Sequence, residues 1–226
     1  MATSGSATFN PSIDVIIEEA FERAGSELRS GYDVKSARRS LDIMSAEWSN
    51  RGINLWTVEQ GSISLVDGTA TYNLPNDTID LIEYVVRQGT GVNQVDLSVT
   101  RIGVNQYSSI PTKNQEGLPL QIYVNRATTT PTVTLWPIPD SDNYTLVYWR
   151  LRRIQDTGAA TNTMDVPSRF IPAMVAGLAY YIAMKRPNLM ERLPFLKGEY
   201  DEQFRLAYEE DRERVPLRIV PFQSVS

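Results

Sequence analysis

The pattern of apolar and polar positions divides the chain into helical ends and a β-rich middle. From about Ser12 to Leu28, the residues Ile13, Ile16, Ile17, Ala20, Phe21, Ala24 and Leu28 recur at three- and four-residue spacing. That spacing predicts an amphipathic helix opened by Pro11. A second helix is predicted from Asp33, a favoured N-cap residue. It carries Val34, Ala37, Leu41, Met44 and Trp48 on one face and stops at Gly52. The link Ser30-Gly31-Tyr32 is short enough to make the two an antiparallel helical hairpin.

Period-two alternation replaces the helical period in the middle. Ile63 and Leu65 precede the turn Asp67-Gly68, and Tyr72 and Leu74 follow it, a pattern that predicts a β-hairpin. Further strands are predicted at Leu81 to Arg87, Leu120 to Asn125, Val133 to Trp136 and Tyr144 to Arg152, with Pro137, Pro139 and Asp140 breaking the last two apart. The polar, Gly-rich stretch from Gly89 to Leu118 predicts long loops with one brief helical turn at Val104 to Ser109.

Helical spacing returns after residue 165. Pro167 suits a first turn, and Phe170, Met174, Val175, Leu178, Tyr181 and Ile182 form an apolar stripe that ends at Pro187-Asn188. A last helix carries Leu193, Leu196, Tyr200, Phe204, Ala207 and Tyr208 and ends in the charged run Glu209 to Arg214. Each stripe needs a partner, so the expected fold class is α+β. Two N-terminal and two C-terminal helices (residues 11–55 and 165–214) form a four-helix bundle. A β-rich insertion, a small sandwich or meander, occupies residues 56–156. Residues 215–226 differ again: Leu217, Ile219, Val220 and Phe222 are apolar, while Pro216 and Pro221 forbid a regular helix. This segment is expected to be an extended C-terminal tail covered by something outside its own core.

Composition narrows the chemistry. The 226 residues suit one domain with a sizeable insertion, and a chain of this length buries roughly 70% of its extended surface. There is no cysteine, which excludes disulfides, thiolate metal sites and cysteine nucleophiles. There is no histidine either, which excludes Ser-His-Asp hydrolysis and histidine-ligated metals. The net charge of −5 opposes tight, non-specific DNA binding. The N-terminus has no signal-peptide pattern, and the longest apolar stretch, Phe170 to Met184, is too short and interrupted to span a bilayer, so a soluble protein is expected.

Four local patterns, in this order, carry a resemblance. They are the helix end Leu41-Asp42-Ile43-Met44-Ser45-Ala46-Glu47-Trp48-Ser49-Asn50-Arg51-Gly52 followed by Ile53-Asn54-Leu55-Trp56, and the segment Gly68-Thr69-Ala70-Thr71-Tyr72-Asn73-Leu74-Pro75. The others are Val166-Pro167-Ser168-Arg169-Phe170-Ile171-Pro172-Ala173 leading into Gly177-Leu178-Ala179-Tyr180-Tyr181, and the last helix with Tyr200, Phe204 and Ala207. Together they resemble the head-to-tail adaptor, or connector, proteins of tailed bacteriophages, of the tail tubular protein A type. The resemblance implies a structural virion protein and no enzyme. It would form a ring of roughly twelve copies between the portal and a downstream tail or nozzle protein, extending a channel through which DNA passes without specific binding. It implies assembly in the host bacterial cytoplasm, no cofactor and no membrane. By the same analogy Leu217, Ile219, Val220 and Phe222 dock on the portal.

Other residues are candidates for sharper roles. Trp56, just past a helix end, is a candidate interface anchor, whereas Trp48 reads as core. Arg150, Arg152 and Arg153, beside Tyr148 and Trp149, are candidates for a channel-facing basic ring, together with Arg38-Arg39 and Lys185-Arg186. In a strand, Tyr148, Arg150 and Arg152 share one face, and the simpler reading is a solvated face opposite buried Trp149 and Leu151. The acidic pairs Glu18-Glu19 and Glu209-Glu210 read as solvated helix surface, and Asp67, Asp140 and Asp142 as turn residues rather than a metal site. Two alternatives to the ring adaptor stand beside it. One is a head-completion or stopper joint protein, and the other a carboxylate-dependent polysaccharide or peptidoglycan hydrolase, which a cleft with two facing acids would favour.

Overall fold

The computed structural model describes Gly5 and residues 8–52, 55–127 and 129–211. Among them run five helices, α1 (Ile13–Ala24), α2 (Gly31–Asn50), α3 (Val104–Ser109), α4 (Ile171–Met184) and α5 (Leu193–Glu210). Eight strands lie between α2 and α4: β1 (Val58–Ser64), β2 (Thr71–Asn73), β3 (Thr78–Gln88), β4 (Val95–Ser98), β5 (Thr100–Arg101), β6 (Gln121–Asn125), β7 (Thr132–Trp136) and β8 (Tyr144–Arg152). The α+β class is the expected one. The chain divides into two compact units, residues 1–55 with 155–226, and residues 56–154.

In the helical unit α4 is the central element. Ala173 to Ala179, Ile182 and Ala183 are buried, and α4 packs on α1, α2 and α5. Small residues make that position possible, because a helix surrounded by others must let their backbones approach. Around it lie Ile13, Ile16, Ile17, Leu41, Met44, Trp48 and Phe170, all essentially without solvent contact.

Two helix ends differ from the expected ones. α1 stops at Ala24 rather than Leu28, because Gly25 takes a left-handed φ of 78°. The N–H groups of Gly25 and Ser26 then return to the carbonyls of Glu22 and Phe21. α2 is capped by Ser30, not Asp33. The Ser30 hydroxyl accepts the Asp33 N–H at 3.3 Å while the Asp33 carboxylate accepts the Ser30 N–H at 3.2 Å, a reciprocal capping box.

The second unit is two four-stranded sheets, ordered β1-β8-β3-β4 and β2-β7-β6-β5. All pairings are antiparallel except β5 with β6. One apolar cluster draws on both, with Leu81, Val86, Leu146 and Tyr148 from the first sheet and Ile122, Val124, Val133 and Leu135 from the second. The expected hairpin across Asp67-Gly68 does not form. β1 pairs with β8 and β2 with β7, so the segment between them crosses from one sheet to the other. Leu65 and Leu74 are both buried in the shared cluster, which satisfies their alternation without pairing their strands. The Tyr72 hydroxyl holds the crossing, accepting the Val66 N–H at 2.9 Å and donating to the Thr69 carbonyl at 2.8 Å.

The stretch Gly89 to Leu118 contains more than loops. The helical turn Val104–Ser109 has the expected bounds, but β4 and β5 also lie here, one in each sheet, with buried Val99 between them.

Candidate functional site

Trp48 is core. It is fully buried, its indole N–H donates to the Tyr200 hydroxyl at 2.8 Å, and its ring lies 5.5 Å from Phe170 and 5.7 Å from Phe204. Trp56 lies in a single 3-10 turn, Leu55–Thr57, and is half-buried. The candidate docking residues Leu217, Ile219, Val220 and Phe222 lie outside the described residues.

The arginines of β8 sit on the inner side of their strand. Tyr144, Leu146 and Tyr148 belong to the core cluster, and Arg150 and Arg152 continue the same face, their side chains only 12% and 10% exposed. Trp149 and Leu151 on the other face are half-buried, so the assignment of a solvated arginine face is reversed. Burial of two guanidiniums requires neutralising partners, and β1 and the loop before β3 supply them. Arg150 bonds Glu59 at 2.8 Å and also Asp77, and Arg152 bonds Glu59 at 2.6 Å. The hydrogen bond from Arg152 holds the Glu59 carboxyl below the usual range, and that from Arg150 does the same for Asp77. Both charges are therefore taken up inside the fold. Arg153 is exposed, and its backbone N–H donates to the Asp77 carbonyl at 2.8 Å.

The second basic group divides. Arg186 is engaged, bonding Asp33 at 2.9 Å with its guanidinium 5.0 Å from the centre of the Phe21 ring. Lys185 bonds only uncharged oxygens, the Ser36 carbonyl and hydroxyl and the Ser40 hydroxyl, at 3.0, 3.1 and 2.6 Å. Burial and then nearby Arg39 pull its ammonium pKa down. Arg38 is half-buried and Arg39 exposed on α2.

The acidic candidates assemble no reactive pair. Glu19 bonds Arg23 at 2.8 Å and Glu209 bonds Arg205 at 2.9 Å. The Asp142 carboxylate accepts the Asp67 N–H at 2.8 Å, which is turn chemistry. Among the described residues no group of three or more acidic side chains could hold a metal ion, and no helix is long and apolar enough to cross a membrane. One contact had no signal in the sequence. The Tyr181 hydroxyl donates to Glu47 at 2.7 Å beside Arg51, and burial together with that bond raises its pKa. The pair lines a cleft of about 290 Å³ whose charges compensate one another.

The SU10 adaptor protein family matches residues 19–220, nearly the whole chain. The chain belongs to that family. It is accordingly a structural head-to-tail adaptor of the bacteriophage type. No curated protein matches it. Among solved structures, a chain of the neck of an empty GTA particle is similar at 10% identity, over 88% of this chain and 93% of that one. The TM-score of that match is 0.29.

The adaptor exposes apolar side chains on both units. On α5, Phe195 is 68% exposed, and Leu206 and Tyr208 nearly half, although spacing had put Tyr208 in the apolar stripe. On the β unit Ile82, Val92, Val95, Val104 and Leu120 are exposed.

Proposed function

We propose that the adaptor is one subunit of a closed ring of roughly twelve copies, seated between portal and tail and extending the DNA channel. The observation that carries this reading is the family match across residues 19–220. Within the subunit, the helices around α4 act as a four-helix bundle that sets the ring's geometry, and the β unit offers further contact surface. Leu217, Ile219, Val220 and Phe222 dock on the portal, Trp56 anchors a partner, and DNA passes the lumen without specific binding. The particle is the adaptor's final location, reached after assembly in the host cytoplasm. The exposed apolar residues of α5 and of the β unit are consistent with surfaces that partners cover. A fully buried Leu, Ile, Val or Phe side chain contributes about 1.5–3 kcal/mol, and ordering an extended segment costs about 1–2 kcal/mol per residue. A single docking tail is therefore marginal, and a ring that engages many at once gains strength by avidity.

The test is light scattering of the purified adaptor alone and mixed with its portal. The expected result is a ring-sized complex with the portal that is lost when residues 215–226 are deleted. Full-length protein that stays monomeric beside the portal at high concentration would sink the proposal.

A further inference from the structure

Folding sorts the charges of the helical unit into satisfied and unsatisfied ones. Arg23, Arg51, Arg169, Arg186 and Arg205 each bond a carboxylate of the same unit. Lys35, Arg38 and Arg39, at i, i+3 and i+4 along α2, bond none among the described residues. Lys185, whose ammonium bonds only uncharged oxygens, adds a fourth positive charge beside Arg39. Tyr32, Arg39 and Lys185 border a cleft of about 290 Å³, and its one carboxylate, Asp33, is already held by Arg186.

The carboxylates sort in the same way. Glu19 and Glu199 are taken by Arg23, Glu47 by Arg51, and Glu202 and Glu209 by Arg205. Glu18 and Glu22, a turn apart on the exposed face of α1, bond no cation among the described residues. Asp14, a turn earlier, receives only the Ser12 hydroxyl and the Val15 N–H.

We propose that these two faces bind each other between copies, the basic face of α2 in one subunit receiving the acidic face of α1 in the next. The proposal rests on the ring reading and names one contact within it. Unlike faces meeting on identical subunits make a heterologous interface, the kind whose repetition closes a ring. The spacing is compatible. Positions four apart on a helix are separated by about 6 Å along its axis, so Lys35 and Arg39 match Glu18 and Glu22. Charge pairing of this kind fixes register and disfavours wrong partners. A polyanion such as DNA is the less fitting occupant, because the chain carries a net charge of −5 and presents a complementary acidic face of its own.

The absence of cysteine makes the test direct, since introduced thiols are the only ones present. Tyr32→Cys, at a site 75% exposed beside the basic face, and Val15→Cys, at a site 47% exposed on the acidic face, leave every charge in place. The two full-length variants are mixed, oxidised and resolved by intact mass. The mixed disulfide dimer should exceed either homodimer by roughly tenfold at low salt, and the excess should fade at high salt. Lys35→Glu with Arg39→Glu in the Tyr32→Cys chain should abolish the excess. Adding Glu18→Lys with Glu22→Lys to the Val15→Cys chain should restore it. A mixed dimer no more than about twice as abundant as either homodimer, the ratio that random pairing gives, overturns the proposal. If the portal complex still forms by light scattering, the ring reading survives that outcome, and if it does not, both fail. A fluorescent DNA duplex that binds the wild type and is released by Lys35→Glu with Arg39→Glu, with no mixed-dimer excess, would make the face a polyanion site and also overturn it.

Discussion

Gly177 sits in the middle of α4, where even a methyl group would collide with its neighbours. A Cβ there would lie 2.6 Å from the Met44 sulfur and 2.8 and 3.0 Å from Cε2 and Cδ2 of Tyr200. Gly177→Ala therefore opposes two effects. Alanine is the better helix former by about 0.8–1.0 kcal/mol, while overpacking a dense core costs about 1–3 kcal/mol. The sign depends on whether the neighbours can retreat. Met44 can, since its unbranched side chain has several rotatable bonds. Tyr200 is 4% exposed, and its hydroxyl is tied to the indole N–H of fully buried Trp48 at 2.8 Å. Moving the ring would break that bond or push Trp48 into Phe170. The net expectation is a loss of about 1–2 kcal/mol, with each kcal/mol lowering the melting temperature by about 2–4 °C. Gly198 supplies the control. It lies within α5 with nothing inside 4 Å of its would-be Cβ, so Gly198→Ala should stabilise by up to about 1 kcal/mol. Urea unfolding followed by the far-ultraviolet helical signal measures both. If Gly177→Ala unfolds at or above the wild-type midpoint, the close approach of α2 and α5 to α4 does not depend on this glycine and the reasoning is wrong.

Two further outcomes follow from the same structure. Tyr200→Phe keeps the ring and removes the acceptor of the Trp48 N–H. It should cost about 1–3 kcal/mol for the orphaned donor, and an unchanged urea midpoint would deny that bond any role. Glu59 and Asp77 have carboxyl pKa values depressed in the folded state by bonds from Arg152 and Arg150 respectively. Their contribution is complete above the unfolded carboxylate value and is lost as pH falls through the folded one. The melting temperature of the β unit should accordingly be flat near neutrality and drop below about pH 4. Glu59→Gln should lower the neutral-pH value and flatten the acid limb, and an acid limb identical to wild type would refute the assignment.

Local signals were legible where a segment's own period sufficed. The strand Tyr144–Arg152 and the short helix Val104–Ser109 occupy the bounds that alternation and turn residues suggested. The long helices appear where three- and four-residue spacing put them. Their ends were less so, because Gly25 stops α1 before Leu28, and the cap of α2 depends on a bond from Ser30 to Asp33 that either residue could have initiated. β4 and β5 leave no such signal, since strands of four and two residues are too short for alternation to register. Among the site residues, exposed Arg39 and Lys185 lay in basic runs the sequence singled out, but so did Arg150, Arg152 and Arg186, which the fold consumes.

The sequence by itself determined where the long helices and the longer strands lie, that histidine and cysteine chemistry are absent, and which side chains need burial. Alternation states that a strand has a buried face, but it does not state which strand lies alongside. Only the tertiary structure decided that β1 and β2, joined by a turn, belong to different sheets and take partners far along the chain. Likewise only the arrival of Glu59 and Asp77 from other segments made the arginine face of β8 an inner one. Pairing and charge neutralisation depend on groups distant in sequence, and a local period carries no information about them.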